Sequence, residues 1–355
     1  MQIGTGHVMR CLTLADGLRE RGARSIFICR PHAGHLLDLI KQRGHIALAL
    51  APAEHVLTAP GPADPQHAHW LGTGWDSDAA QTREVLSDQV LDWLVVDHYA
   101  IDRRWEDVMR PCTRRVMAID DLADRPHECD MLLDQNLGRR AEHYGGLLKR
   151  HTQTLIGPEF ALLRPEFAQW REHSLQRREN PQLKNLLITM GGVDQANVTG
   201  RVLDALNRCD LPADLRVTVV MGVCSPWLAQ VKTQAAVMPR PTQVLTGVSN
   251  MAQLMAESDL CIGAAGGSAW ERCALGLPTL VMILAANQHS GAAALQAHGA
   301  ALLANDSQQL MTQMFSLFGG GKTTEVLWKM SQAAAQLTSG NGASKVVEFL
   351  LGTHG

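Results

Sequence analysis

Two hydrophobic periods alternate along the first half of the chain. Apolar residues recur at three- and four-residue spacing from Val8 to Leu18, which predicts a helix that Gly22 ends. The same spacing returns at 34–44. A stretch rich in Pro, His and Gly, residues 52–75, predicts a loop. Continuous apolar runs elsewhere in this half predict short buried strands, which fall at 25–29, 45–50, 92–99, 114–121 and 129–136.

The second half repeats this organisation. A charged, weakly patterned span at 164–182 separates the halves and predicts an interdomain linker whose arginine cluster, "QRREN", faces solvent. Strands that are apolar throughout and alternate with helices predict a parallel sheet covered on both faces. The sequence therefore predicts an α/β protein of two doubly wound, Rossmann-like domains, residues 1–163 and 183–355. The strands of the second domain are predicted at 185–194, 216–222, 242–247, 259–268 and 279–284.

The extreme N-terminus departs from the pattern. Gly4 and Gly6 are typical of a loop that leaves a strand and enters a helix, yet only Met1–Ile3 precede them. We therefore expect the first strand to be truncated, with a natural start further upstream. A sheet without that strand would expose its neighbours' edges, so we expect a poorly stable N-terminal domain.

Composition excludes several classes of protein. Among 355 residues, 46% are hydrophobic and 19% are charged, and the net charge of −3 gives no electrostatic footprint for nucleic acid. No apolar run reaches the roughly 18–20 residues of a membrane span, and the N-terminus lacks a signal-peptide pattern. The eight cysteines contain no C-x-x-C pair, so neither disulfides nor a zinc site is predicted. We expect a cytoplasmic monomer with no nucleic-acid partner and no membrane insertion.

Polar residues follow directly on several predicted strands. In open parallel sheets, ligands bind beyond the carboxyl ends of the strands. Asp97 and Tyr99 are placed there, and each such residue has the alternative role of a helix cap or a turn former. The other residues predicted at these strand ends are His98, Asp120, Asp121, Asp134 and Asn136.

The segment "GTGHVMR" combines a glycine loop with the start of a helix. Backbone N–H groups of Gly4 and Gly6 would be unpaired there and would favour an anion or a sugar. His7 follows at once, where an imidazole can accept a proton near neutral pH. A plain tight turn is the alternative interpretation.

A second glycine loop, "GAAGGSAWERCALGLP", follows a predicted strand and opens a helix. Gly266, Gly267 and Ser268 can present N–H groups and a hydroxyl to a diphosphate. Glu271 lies one turn further, where a carboxylate can accept both hydroxyls of a ribose. Alternatively, Glu271 forms a capping box with Ser268.

Two further strand ends carry candidate contacts. In "MGGVDQANVT", Gly191 and Gly192 form a third glycine turn, and Asp194 has the alternative role of capping the next helix. In "ILAANQHS", Asn287 and Gln288 carry amides that suit sugar hydroxyls or N-acetyl groups.

Taken together, these stretches resemble the UDP-sugar hydrolases of the pseudaminic acid pathway. That family cleaves UDP-2,4-diacetamido-2,4,6-trideoxy-β-L-altropyranose to UDP and the free sugar, and is similar to the MurG-type GT-B glycosyltransferases. One difference is "GGSAWE", which replaces the more usual "GSTSWE" and removes a hydroxyl. The motifs that carry the resemblance are "GTGHVMRCLTLA", "VVDHYAID", "IDDLADRPHECDMLLDQN", "LIGPEFALLRPEF", "ITMGGVDQANVT", "AAGGSAWERCALGLP" and "ANQ".

The resemblance implies a GT-B fold, in which two Rossmann-like domains face a cleft that holds the nucleotide sugar. It implies that His7 activates water, that Tyr99 and Asn287 lie at the sugar, that Ser268 lies at the diphosphate, and that Glu271 holds the ribose. It implies neither a cofactor nor a metal ion.

The expected reaction is C–O cleavage with inversion at the anomeric carbon. Either Asp97 or Asp120 would support His7, and the sequence leaves that choice open. Two rival functions remain at this point. One is a glycosyltransferase that uses a UDP-N-acetyl sugar donor, and the other is an inactive protein that only binds nucleotide sugars.

Overall fold

The chain divides into two units in the computed structural model, which describes residues 5–32, 34–52, 59–87, 89–319 and 322–353. The first unit comprises Met1–Leu162 with Gly342–Gly355, and the second comprises Leu163–Asn341. All paired strands are parallel. The prediction of a truncated first strand concerns residues 1–3, which lie outside the described residues.

The described strands of the first unit form two sheets. β1 pairs with β2, and the other sheet has the order β3-β4-β5-β6. Between strands lie 3-10 helices at Ala68–Leu71, Arg110–Cys112, Ala141–Tyr144 and Pro158–Phe160. The strands are β1 (Ile26–Cys29), β2 (Ile46–Ala49), β3 (Leu91–Val96), β4 (Thr113–Ile119), β5 (Met131–Asp134) and β6 (Gln153–Ile156). The helices are α1 (Gly6–Glu20), α2 (Leu37–Gln42), α3 (Trp75–Leu86), α4 (Arg103–Met109) and α14 (Gly342–Leu351).

Helices cover both faces of the four-stranded sheet. One face packs Met117 and Leu133 against α1 and α14. The opposite face packs Val116 and Leu132 against Trp105 of α4 and the neighbouring α3. Because both faces are covered, the strands are apolar at nearly every position, as the sequence pattern predicted.

The second unit is built on one parallel sheet with the order β12-β11-β10-β7-β8-β9. Its largest core cluster joins Ile188, Val219 and Ile262 to α7 and α12. The strands are β7 (Asn185–Thr189), β8 (Arg216–Met221), β9 (Thr242–Thr246), β10 (Leu260–Ala264), β11 (Thr279–Met282) and β12 (Leu302–Leu303). The helices are α5 (Pro165–Gln169), α6 (Arg171–Arg177), α7 (Val198–Asn207), α8 (Leu228–Ala236), α9 (Met251–Glu257), α10 (Ser268–Ala274), α11 (His289–Ala297), α12 (Ser307–Gly319) and α13 (Thr323–Leu337), with a 3-10 helix at Ala286–Gln288.

The predicted linker, residues 164–182, forms helices α5 and α6 and is part of the second unit. Its arginines are not a solvated cluster. Arg177 binds Asp259 at 2.7 Å, and Arg178 is only 4% exposed. Burial lowers the pKa of Arg178 to about 9. Carbonyl groups near the end of α9 lack helical partners, and this guanidinium donates to those of Met255, Ala256 and Ser258. It also donates to the carbonyl oxygen of Ser174 in α6.

The C-terminal residues, predicted as part of the second domain, group instead with the first unit. The reason is the apolar face of α14, which packs on the same sheet face as α1. The indole Nε1 of Trp93 donates to the carbonyl oxygen of Leu350 at 2.8 Å. Gly342 begins this helix against the backbone of Ala161, where a Cβ would collide with the carbonyl oxygen.

The predicted loop at 52–75 contains the short 3-10 helix Ala68–Leu71, and its residues 53–58 lie outside the described part. Within the described part of the chain, no helix combines the length and the apolar character needed to cross a membrane.

Removing a core side chain of α14 should therefore destabilise the first unit. Leu350, 5% exposed, packs in the core that contains Leu133. We expect Leu350→Ala to lower the free energy of unfolding by about 2–5 kcal/mol. Amide hydrogen exchange should accelerate in β3–β6 and stay unchanged in β7–β11.

The matched control is Leu351→Ala, since Leu351 is adjacent but 39% exposed. It should change the free energy of unfolding by less than about 0.5 kcal/mol. Equal losses in both variants, or faster exchange confined to the second unit, would contradict the packing.

Candidate active site

His7 lies in the first turn of α1, because the helix begins at Gly6 and includes part of the predicted loop. Its Nδ1 is 2.5 Å from Oδ1 of Asp97, which directly follows strand β3. Among the described residues, no atom would lie within 4 Å of a Cβ on Gly6. Gly4 lies outside the described residues.

Arg10 holds Asp97 in place. Its guanidinium donates from Nε to Oδ2 at 2.7 Å and from NH2 to Oδ1 at 2.6 Å. The thiol of Cys11 lies 3.3 Å from the same carboxylate. Burial disfavours the charged form of Asp97, but Arg10 and His7 outweigh it and hold the pKa of the carboxyl well below its ordinary value. Asp97 is therefore an ionised, fixed acceptor for His7.

Tyr99 closes this group of side chains. Its hydroxyl donates to Oδ2 of Asp121 at 3.0 Å, and its ring meets the His7 ring edge-on, with centroids 4.8 Å apart. Asp121 in turn lies 3.7 Å from the guanidinium of Arg10. Burial and the charge of Asp121 raise the pKa of Tyr99, so its hydroxyl stays protonated. The structure thus brings together the predicted residues His7, Asp97 and Tyr99.

The other strand-end residues have structural roles. Burial lowers the pKa of His98 to about 3, and its Nδ1 accepts from the backbone of Ala100. Asp120 is fully buried and pairs with Arg125 at 2.8 Å, so it does not support His7. Asp134 accepts from the backbone of the following loop, and burial raises its pKa to about 6. Between the two candidates left open, the geometry selects Asp97.

In the second unit, Arg272 organises the glycine loop. Its side chain is 1% exposed, donates to the hydroxyl of Ser268 at 3.1 Å and to the carbonyl oxygen of Ala264 at 2.7 Å. A Cβ on Gly263 would lie 2.8 Å from this guanidinium, so the guanidinium fits there because residue 263 is a glycine. Because an arginine can only donate, the hydroxyl proton of Ser268 stays available to another acceptor.

Ser268 and Glu271 form no capping box, since α10 has Gly267 at its N-cap without a side-chain hydrogen bond. Among the described residues, the charges that act most favourably on the Glu271 carboxylate are those of Arg164 and Arg272. Burial raises its pKa, against the charges of Arg164 and Arg272. This carboxylate, one turn after Ser268, is a candidate acceptor for a ligand.

Amides lie beside this loop. The Nε2 atom of Gln288 is 3.7 Å from the place of a Cβ on Gly266, while its Oε1 accepts from the backbone of Leu284 at 2.9 Å. Asn287 is exposed in the adjoining 3-10 helix. Gly266, Gly267, Ser268, Glu271 and Gln288 are thus neighbours in the second unit.

The glycines of the third glycine turn are explained by backbone conformation and close backbone packing. Gly191 has a φ of 89°, in the left-handed region that favours glycine, and Gly192 packs against Gly222. Asp194 accepts from the backbone N–H groups of Val198 and Thr199, each at 2.8 Å, and so caps α7.

Sequence reasoning missed Arg10 and Arg272. Each arginine lies one turn after a predicted site residue, on the same face of its helix. Arg10 comes three residues after His7, and Arg272 comes four residues after Ser268. That spacing was the available signal. Among the described residues, no group of three or more His, Cys, Asp or Glu side chains is arranged to hold a metal ion.

Comparisons with known proteins bear on the fold. Residues 185–319 match the model of the glycosyltransferase family 28 C-terminal domain. The crystal structure of MurG from Acinetobacter baumannii superposes with a TM-score of 0.67 at 17% identity, over 98% of this chain and 97% of that one. These findings confirm the predicted GT-B fold of two Rossmann-like domains.

Two curated relatives are similar in sequence. The UDP-2,4-diacetamido-2,4,6-trideoxy-β-L-altropyranose hydrolase of Campylobacter jejuni is 25% identical over 84% of this chain and 93% of its own length. The uncharacterized protein MJ1062 of Methanocaldococcus jannaschii is 22% identical over 79% of this chain. The chain spans about half the length of that second relative, 53%.

Asp97→Asn should remove the charge that compensates Arg10. Both side chains are nearly buried, so we expect a loss of about 3–5 kcal/mol in the free energy of unfolding at neutral pH. The folded-state pKa lies below the unfolded value of 3.8, so the stabilisation is complete above that pH and is lost as the pH falls further. Urea unfolding at several pH values should show the difference from wild type shrinking only below pH 3.8.

Asp92→Asn is the control, because Asp92 lies in β3, shortly before Asp97, and its side chain is 85% exposed. Its unfolding free energy should stay close to that of wild type at every pH. If the two variants lose the same free energy, the buried pair does not have the assigned role.

Proposed function

We propose that the chain hydrolyses UDP-2,4-diacetamido-2,4,6-trideoxy-β-L-altropyranose to UDP and the free sugar. The observation that carries this proposal is the contact of His7 with the ionised Asp97, beside Tyr99. The similar hydrolase from Campylobacter jejuni supports the choice of substrate. The GT-B fold supports a nucleotide-sugar enzyme in general.

His7 is the proposed general base. An ionised carboxylate can only accept, so the Nδ1 atom of His7 carries the proton of its contact with Asp97. The Nε2 atom then keeps its lone pair and can take a proton from water. Asp97 also stabilises the imidazolium that forms, as the acid does in a catalytic triad.

The reaction needs little help at the leaving group. The water oxygen bonds to the anomeric carbon, His7 takes the proton, and the bond from that carbon to the diphosphate oxygen breaks with its electron pair going to UDP. Attack opposite the leaving group inverts the configuration at this carbon. Hydrogen bonds from the backbone of Gly266 and Gly267 and from the Ser268 hydroxyl are the proposed stabilisation of the diphosphate.

The remaining predicted contacts keep their proposed roles. Glu271 is the proposed acceptor of the ribose hydroxyls, since its carboxylate lies one turn into α10 after Ser268 and near the charges of Arg164 and Arg272. Asn287 and Gln288 supply amides near the substrate, and Gly191 and Gly192 allow close approach at a third strand end. Asp97 and Tyr99 support the sugar side of the first unit.

A glycosyltransferase acting from a UDP-N-acetyl sugar donor is the second candidate function. The match of residues 185–319 to a glycosyltransferase domain and the likeness to MurG favour it. The same base would then activate an acceptor hydroxyl instead of water.

The first experiment incubates the protein with the UDP-sugar alone in ¹⁸O-water. We expect free sugar that carries the label and UDP that does not, because water attacks carbon. Proton NMR of the anomeric signal should show the inverted configuration first. Label in UDP, or no free sugar until an acceptor alcohol is added, would contradict the hydrolase.

His7→Phe should reduce turnover by about 10²–10⁴-fold or more, since it removes the base. UDP affinity should not change, because the proposed nucleotide contacts belong to the second unit. His35→Phe is the control, because His35 is an exposed histidine of the same unit. Wild-type turnover in His7→Phe would remove His7 from the mechanism.

Glu271→Ala should weaken UDP binding by about 10- to 100-fold, the worth of hydrogen bonds to a charged group, roughly 1.5–3 kcal/mol. Calorimetry with 2′,3′-dideoxy-UDP provides the control ligand, since it lacks both hydroxyls. Its affinity should be the same for the variant and for wild type. An equal loss with both nucleotides would refute the ribose assignment.

A further inference from the structure

The segment between β2 and α3 carries a row of aromatic rings that the sequence analysis treated only as loop. The part from residue 59 to 74 is held to the first unit at two points. Leu71 is 5% exposed and packs in the core cluster that contains Val96. Oδ1 of Asp64 accepts from the guanidinium of Arg104 at 3.1 Å. These contacts fix the position of the side chains between them.

The rings of this segment continue the site described around His7. The His67 and Trp70 rings have centroids 4.3 Å apart. Both contact the Tyr99 ring, His67 at 5.8 Å and Trp70 at 6.0 Å between centroids. Because Tyr99 itself meets His7 edge-on, His67, Trp70 and Tyr99 form a continuous aromatic row that ends at the proposed base.

The row differs from ordinary core packing. In the same unit, Trp105 is 4% and Tyr144 is 2% exposed. His67 and Trp70 remain half-buried, so part of each ring is accessible to a ligand. Tyr99 is buried, and its hydroxyl is bound to Asp121, which fixes the ring behind them.

The chemistry of the row suits a sugar of low polarity. Aromatic faces accept the C–H groups and methyl groups of a ring, and a few polar atoms then set its orientation. Burial lowers the pKa of His67 from its ordinary value. At neutral pH the imidazole is therefore uncharged and offers one N–H donor and one nitrogen acceptor.

We propose that His67 and Trp70, with Tyr99 behind them, form the wall that receives the sugar ring of the substrate next to His7. The rings contact the 6-methyl and acetamido methyl groups, and His67 hydrogen-bonds an amide or hydroxyl of the sugar. This inference rests on the proposed function, and makes the 59–74 segment the part of the site that selects a deoxygenated, N-acetylated sugar.

The experiment compares UDP-2,4-diacetamido-2,4,6-trideoxy-β-L-altropyranose, UDP-GlcNAc and UDP, by calorimetry and initial rates. In wild type, the first ligand should bind more tightly than UDP and than UDP-GlcNAc, which has a 6-hydroxyl. Trp70→Ala should reduce that preference by about 10-fold or more, the scale set by one apolar contact in a pocket. UDP affinity should not change, and Trp70→Phe should retain most of the preference.

Trp328→Ala is the matched control, because Trp328 lies in α13 of the second unit, outside the row, and is 44% exposed. It should leave the preference between the two sugars unchanged. Three results would contradict the proposed wall: no preference in wild type, an equal loss for all three ligands in Trp70→Ala, or the same change in Trp328→Ala. A different result is a wild type that releases no free sugar and yet binds the diacetamido UDP-sugar with a preference that Trp70→Ala removes. That result would contradict the proposed hydrolysis and support the proposed wall.

Discussion

The nearly buried ion pair between Arg10 and Asp97 holds the candidate site of the first unit together. Two charges withdrawn from water are stable only if they meet in good geometry, and here the guanidinium forms two short hydrogen bonds with the carboxylate. The partners are 87 residues apart in sequence, so the pair fastens the start of α1 to the end of β3. His7 is positioned as a consequence, because it shares the same carboxylate.

In the second unit, an arginine also holds the start of a helix, but its hydrogen-bond partners differ. Arg272 reaches back from α10 to Ser268 and to the end of β10, as Arg10 reaches from α1 to the end of β3. It meets a hydroxyl and a carbonyl oxygen instead of a carboxylate. In both units, an arginine one turn into a helix therefore orders the residue that opens that helix.

The GT-B fold does not by itself distinguish transfer from hydrolysis, because one fold supports many reactions. What separates them is the chemistry at a few positions. A base held by an ionised acid can activate either water or an alcohol. The aromatic row of His67, Trp70 and Tyr99 bears on a different question, which sugar is accepted. The proposed base and the aromatic row belong to one unit, and the proposed nucleotide contacts belong to the other.

The amino-acid sequence was enough to predict the parallel α/β architecture and the glycine turns at strand ends, because apolar runs and turn residues are local patterns. It also placed His7, Tyr99 and Ser268 among the candidates, and the comparisons confirmed the GT-B fold. It left open whether Asp97 or Asp120 supports His7, took 164–182 for a linker and assigned α14 to the wrong unit. These points required the folded structure, because each depends on which side chains meet across distant segments: Arg10 with Asp97, Arg178 with the end of α9, and Leu350 with the sheet of the first unit.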